Sequence, residues 1–225
     1  MFSKVKAAMA ACVLSTIAAA PASAGVIFFD GFESPDEDNW GVYQVVGDNG
    51  DWVAVEGAGI EIQDESIGIT SAFEGEQYVE LDSDNARGGL PGDTNSAMAT
   101  FIDFVVGQTY EISFAYKPRT NTANDNIIEL FAVNFDGSNI VSQLLLATAN
   151  ETTSSLGDWT VISVLFTVQQ GFNGIALAAG GLDNSLGGFI DAVSVSEVPI
   201  PAALPLFVFG MAGVGAMMRR KRKIA

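Results

Sequence analysis

Between Gly25 and Glu197 the chain runs in short stretches where apolar and polar residues alternate, each closed by Gly, Asn, Asp or Pro. A period of two puts successive side chains on opposite faces of an extended backbone, so each run reads as a strand with one buried face. The runs are Val26 to Phe29, Gly41 to Val46, Asp51 to Val55, Gly59 to Gln63, Gln77 to Leu81, Ser96 to Val106, Thr109 to Tyr116, Asn126 to Phe135, Ile140 to Ala147, Trp159 to Val168, Gly174 to Ala178 and Gly188 to Ser196. Between them stand turn clusters such as Asp48-Asn49-Gly50, Asp136-Gly137 and Gly180-Gly181. Only Leu144 to Ala149 also admits a helical turn, too short to change the class. Short strands at close spacing specify an all-β sandwich or barrel, and 25–197 is long enough to bury one core.

Both ends read differently. Met1 to Ala24 has Lys4 and Lys6, an apolar run from Ala7 to Ala20, and the small residues Ala22-Ser23-Ala24, the pattern of a secretory signal peptide cut before Gly25. Cys12, the only cysteine, lies inside it and away from any lipoprotein-type cleavage site, so the exported part holds no disulfide. Val198 to Ala225 carries an uncharged stretch from Pro201 to Met218, with a transmembrane helix expected at about 202–218. The basic run Arg219, Arg220, Lys221, Arg222 and Lys223 follows and retains its end in the cytoplasm.

Without the two ends, three cations (Arg87, Lys117 and Arg119) face all 27 Asp and Glu, and 25–197 carries a net charge of −24. Such a domain excludes nucleic acid and anionic membrane surfaces as partners, since both demand basic patches.

The residues Val198-Pro199-Ile200-Pro201-Ala202, followed by the apolar span and the Arg-rich end, resemble the VPLPA variety of the PEP-CTERM sorting signals of exopolysaccharide-producing Gram-negative bacteria. The match covers the last 28 positions and departs from the usual form at Ile200, where Leu is commoner. The resemblance implies recognition by an exosortase, an integral-membrane protease, transient anchoring in the inner membrane, and delivery to the cell surface or extracellular matrix. The other reading of the same stretch is a plain C-terminal anchor.

The interior holds an ordered set: Asp30-Gly31-Phe32-Glu33, Trp52 before Gly59 to Gln63, Gly75 to Asp82, Trp159 before Phe166-Thr167-Val168, and Gly188-Phe189-Ile190-Asp191-Ala192-Val193. Together these resemble the galactose-binding-like jelly rolls that form many carbohydrate-binding modules. The resemblance implies two facing antiparallel sheets of about four or five strands, with the first and last segments adjacent. It also implies a structural calcium ion pinning those segments, with Asp30, Glu33 and Asp191 as oxygen ligands of the kind a hard cation takes. The other reading of Glu33 and Asp191 is solvated strand ends.

Catalysis has little to work with. The chain has no histidine, and its one cysteine lies in the leader, so Ser-His-Asp, Cys-His and imidazole-metal chemistry are absent. A glycosidase-like carboxylate pair remains open by composition, but nothing selects one, and no enzymatic activity is expected. Binding is the stronger class. The candidate contacts for a neutral or acidic glycan are Trp40, beside an acidic loop, with Lys117, Arg119 and Asn124 in the polar loop 117–126. Tyr78, Tyr110 and Trp159 are expected in the core. The expected role is a matrix or adhesion component of the extracellular polysaccharide, ahead of a structural surface protein without a ligand and a carboxylate-dependent glycoside hydrolase.

Overall fold

The computed structural model describes residues 25–47, 51–84 and 94–198. The signal peptide, Pro199 to Ala202 of the sorting motif, the span at 202–218, the basic run from Arg219 to Lys223, and Arg87 lie outside the described residues. Val198 lies at their edge, its N–H donating to the Thr109 carbonyl at 3.0 Å. No helix among the described residues is long and apolar enough to cross a membrane.

Thirteen strands follow in chain order: β1 Val26–Asp30, β2 Trp40–Tyr43, β3 Val45–Val46, β4 Trp52–Glu56, β5 Ile60–Asp64, β6 Gln77–Glu80, β7 Ala97–Phe101, β8 Thr109–Lys117, β9 Ile127–Phe135, β10 Ile140–Ala149, β11 Thr160–Thr167, β12 Gly174–Gly180 and β13 Phe189–Glu197. The one helical element among the described residues is a single 3-10 turn at Glu65–Ile67. All pairings are antiparallel. One sheet has seven strands in the order β11-β8-β13-β6-β5-β2, with β1 on β13, and the other has six, β10-β9-β12-β7-β4-β3. The sheets are larger than the four or five strands that the resemblance implies: each of the twelve alternating runs forms strand, and Gly41–Val46 splits at Gln44 into β2 and β3, one for each sheet. Leu144 to Ala149 is strand, paired with β9 along Ala132 to Ile128, and the Ser96–Val106 run ends its ladder at Phe101.

Alternation decides which side chains enter the core. Ile60 and Ile62 of β5, Val79 of β6, Ile112 and Phe114 of β8 and Ile190 of β13 meet Leu130, Ile175, Leu177 and Met98 of the other sheet in one buried cluster. Trp52 is fully buried, its ring 5.7 Å from Phe28 and 6.0 Å from Phe32. Phe32 reaches it from a left-handed backbone (φ 61), held where the Asp30 carboxylate accepts the Phe32 N–H at 2.7 Å.

β1 pairs with β13, so the first and last segments are adjacent as expected. A bulge interrupts β13 between Asp191 and Ser194, with Ala192 at φ 47. The extra residue shifts the alternation by one, so Ile190 before it and Val193 and Val195 after it all face the core. Asp191 is left on the other side with its carboxyl turned toward the segment 73–74.

Candidate functional site

The polar half of the same alternation builds a site on the face of the seven-stranded sheet turned away from the core. Register lines up Trp40, Gln63 and Tyr78 across β2, β5 and β6. One step along, Glu61, Glu80, Phe189 and Lys117 line up across β5, β6, β13 and β8. These positions read as a solvent face in the sequence, yet Glu61, Gln63 and Glu80 are only 5%, 2% and 0% exposed. Arg119, just past β8, and segments around Ile67, Ile69 and Ser185 cover them, leaving a cleft of about 260 Å³ also lined by Asn39, Trp40 and Asp84.

The floor is a connected network. The Gln63 amide donates to Glu61 at 2.7 Å and to Glu80 at 2.6 Å. Arg119 pairs with the same Glu80 oxygen and donates to the Ser185 carbonyl at 3.2 Å, its guanidinium 5.7 Å from the Phe189 ring. The Gly187 N–H meets the other Glu80 oxygen at 2.7 Å, and the Asp84 N–H meets Glu61 at 2.6 Å. Burial pushes the Glu80 carboxyl up to about 8, with Arg119 as the largest opposing influence. Burial also raises Glu61, against the Asp84 N–H and the Gln63 amide. One buried polar atom here has no partner, the Gln63 side-chain carbonyl. Burial raises the Tyr78 hydroxyl as well.

Of the four residues predicted for glycan contact, the structure brings Trp40 and Arg119 together at this cleft. Lys117 lies on the same face with its ammonium 5.6 Å from the Trp159 ring centre, outside the lining, and burial lowers its pKa. Asn124 serves the fold: its N–H donates to Glu151 at 3.1 Å and its carbonyl accepts from Leu182 at 2.8 Å. The polar loop 117–126 largely satisfies itself, the fully buried Asn126 accepting the N–H groups of Arg119 and Thr120 at 2.7 and 3.0 Å. Tyr78 and Tyr110 are buried as expected, but Trp159 is half-buried just before β11, where its indole N–H donates to the Ser71 carbonyl at 2.9 Å. Glu61, Gln63, Glu80, Asp84 and Ser185 were not among the predicted contacts. The one sequence signal for the first three was polar residues alternating with core residues in β5 and β6.

The three predicted calcium ligands separate into two settings. Asp30 and Glu33 line a second cleft of about 330 Å³ together with Asp51 and Glu74. Glu33 accepts the Glu76 and Gln77 N–H groups, both at 3.0 Å. Asp191 is fully buried and accepts N–H groups from Phe73 at 2.8 Å, Glu74 at 2.9 Å and its neighbour Ala192. Burial pushes its carboxyl up to about 7, against those donors. Glu33 and Asp191 therefore hold the same segment, 73–77, at two points. Among the described residues no three acidic side chains converge as a metal centre. Asp30, Glu33, Asp51 and Glu74 line the one cleft without meeting at a point, and Asp191 is not among its lining.

No family model and no curated protein matches this chain. Solved structures similar to it include the CBM22-1 xylan-binding domain of Xyn10C from Paenibacillus barcinonensis, with 11% identity over 80% of this chain and 99% of that one and a TM-score of 0.47. The C-terminal family 22 carbohydrate-binding module of Xyn10B from Clostridium thermocellum gives 16% identity over 81% and 99%, with a TM-score of 0.47. The K1 cleaved adhesin domain of Lys-gingipain from Porphyromonas gingivalis W83 gives 16% identity over 75% and 96%, also at 0.47.

Proposed function

We propose that the cleft beside Trp40 binds an uncharged glycan, in a domain exported and displayed at the surface of a Gram-negative cell within its extracellular polysaccharide. The observation that carries this reading is the cleft itself, which sets Trp40 beside the hydrogen-bonding groups of Asn39, Gln63, Asp84 and Ser185 over a buried polar floor. Trp40, Asn39, Asp84 and Ser185 around it supply a ring face and further hydrogen-bonding groups, the mixture that pyranose rings require. Charge narrows the ligand. Arg119 is committed to Glu80, while Glu61 and Asp84 line the cleft as acids, so a uronic acid meets repulsion and a neutral sugar does not.

Tryptophan fluorescence titrated with neutral and uronate oligosaccharides tests this. A neutral oligomer is expected to saturate the signal, and Trp40→Ala to weaken binding about tenfold, as befits a lost aromatic contact of roughly 1–1.5 kcal/mol. Binding untouched by Trp40→Ala would remove the cleft from consideration, and no response to any sugar would favour a structural surface protein without a ligand. Incubation is expected to leave every bound glycan at its original length.

The sorting reading rests on Val198 to Ala202 and the basic end. Intact mass of the protein recovered from cells and medium is expected to end near Val198 to Ala203 after exosortase processing. A mass retaining Arg219 to Ala225 would make the segment a plain anchor and detach the domain from the polysaccharide. The reading also includes one structural calcium ion at the acidic cleft that Asp30 and Glu33 line, with Asp191 bracing the segment behind it.

A further inference from the structure

One margin of the sandwich is made from the outermost strands of both sheets, β10 and β11, which lie against each other there. Among the described residues each is paired on one side only, β10 with β9 and β11 with β8. Their outer peptide groups are therefore open to a further strand. β10 is the longest strand of the fold, and its residues Val141, Ser142, Gln143, Leu144 and Leu145 are all exposed, so both of its faces stand clear of the core. Three of these five side chains are large and apolar: Val141, Leu144 and Leu145 are 65%, 39% and 49% exposed. On β11, Val161 and Leu165 add 54% and 64%.

The devices that usually blunt such an edge are charged residues and proline. Neither occurs here. No charged residue and no proline stands at 137–150 or at 159–182, in a domain where 27 acids meet three cations. Two copies of so acidic a domain repel one another across most of their surfaces. Along β10 that repulsion is absent, while β11 has one acid beside it, Glu111 of β8, whose carboxylate accepts from the Ser163 hydroxyl. A basic partner would be drawn to the acidic faces, so an uncharged edge strand matches another uncharged edge strand, and the chain carries one in β10.

We propose that this margin is a self-association surface, on which a second copy of the chain adds its β10 antiparallel to the first about a two-fold axis. Bulges at Ile140/Ser142 and Leu145/Ala147 interrupt the ladder to β9 and leave Ser142 to Leu145 as the regular stretch between them. The two-fold axis falls within that stretch, with Leu144 opposite the Leu144 of the second copy. Antiparallel pairing of identical strands is isologous, so the contact closes at a dimer and does not propagate through this edge. The exposed apolar side chains of β11 lie beside it and extend the contact beyond a four-residue ladder.

Sedimentation velocity on the exported protein tests the proposal from low to high micromolar concentration at low and high salt. The mass is expected to rise with concentration toward twice the monomer, and more readily at high salt, where screening relieves the repulsion. Leu144→Glu is expected to weaken the dimer at least about tenfold, by setting like charges face to face across the axis. Leu145→Glu should act similarly. Val26→Glu, the same charge change at a 62% exposed position on β1, should leave the dimer intact. A monomer at every concentration and salt overturns the proposal, as does a dimer indifferent to Leu144→Glu. Equal weakening by Val26→Glu also overturns it, because net charge and not the edge would then govern assembly.

Discussion

Arg119→Ala is expected to destabilise the domain by about 3 kcal/mol at pH 9 and by about 1 kcal/mol at pH 5, as for a buried ion pair broken from one side. The difference follows from Glu80. In the folded protein its carboxyl is raised from 4.5 to about 8, so it binds its proton more tightly folded than unfolded. Stability from this group is therefore fully present below pH 4.5 and declines as pH rises toward 8. Removing Arg119 takes away the largest influence holding that value down, and the decline then extends further into the alkaline range. At pH 5 both proteins hold a neutral Glu80 and differ by little more than a hydrogen bond. At pH 9 the wild type holds an ionised Glu80 against Arg119, whereas the variant must bury either a bare carboxylate or a proton it would otherwise release. Glu61, Gln63 and Tyr78 also surround Glu80, and Asp84 lies against Glu61, so absolute stability profiles mix several groups. The comparison that isolates the pair is Arg119→Ala against wild type in a Glu80→Gln background, where the pH dependence of the difference should disappear. Urea unfolding at the two pH values reads it directly. A loss equal at pH 5 and pH 9 would falsify the pairing as the source of the effect.

The sandwich was legible because period-two alternation is a local property. Ile60, Ile62 and Val79 could be placed in the core from their neighbours alone, and the pairing of β1 with β13 followed from the ordered motifs at the two ends. The site was legible only at its rim. Trp40 and Arg119 stood out as an aromatic beside an acidic loop and a scarce cation, and the two do share a cleft. Its floor did not stand out, because a Glu or Gln at an outward position reads as solvated until something covers it. The cover here comes from distant sequence: Arg119 lies 39 positions from Glu80, and Gly187 lies 107 away. No local pattern carries that information. The same reason accounts for Trp159, placed in the core by its strand and found half-buried, because the Ser71 carbonyl that takes its N–H is 88 positions away. Asn124 stands apart from the cleft's lining, its backbone bonded to Glu151 and Leu182, partners 27 and 58 positions away that no local pattern shows.

Asp191→Ala is expected to cost about 3 kcal/mol, since it strips the acceptor from three N–H groups and each unsatisfied donor costs about 1–3 kcal/mol where water does not replace the carboxylate. For a domain of this size that lowers the melting temperature by roughly 6–12 °C. Glu33→Ala removes the acceptor for two N–H groups of the same segment, but Glu33 is exposed, so water takes its place and the loss should stay below about 1 kcal/mol. This contrast separates a buried brace at Asp191 from a solvated strand end at Glu33, where the sequence offered calcium ligand or solvated strand end for both. It also bears on the proposed calcium ion. With the ion in the acidic cleft, EDTA should lower the wild-type melting temperature, and Glu33→Ala should abolish that response despite its small intrinsic cost, because Glu33 lines the cleft. Asp191→Ala should reduce the response by releasing the segment that carries Glu74, a further carboxylate of the same cleft. A wild-type melt unmoved by EDTA removes the ion and leaves the hydrogen bonds of Asp191, Glu33 and the Gln77 side chain to fasten the segment 73–77. The cost of Asp191→Ala then measures its own share of that fastening.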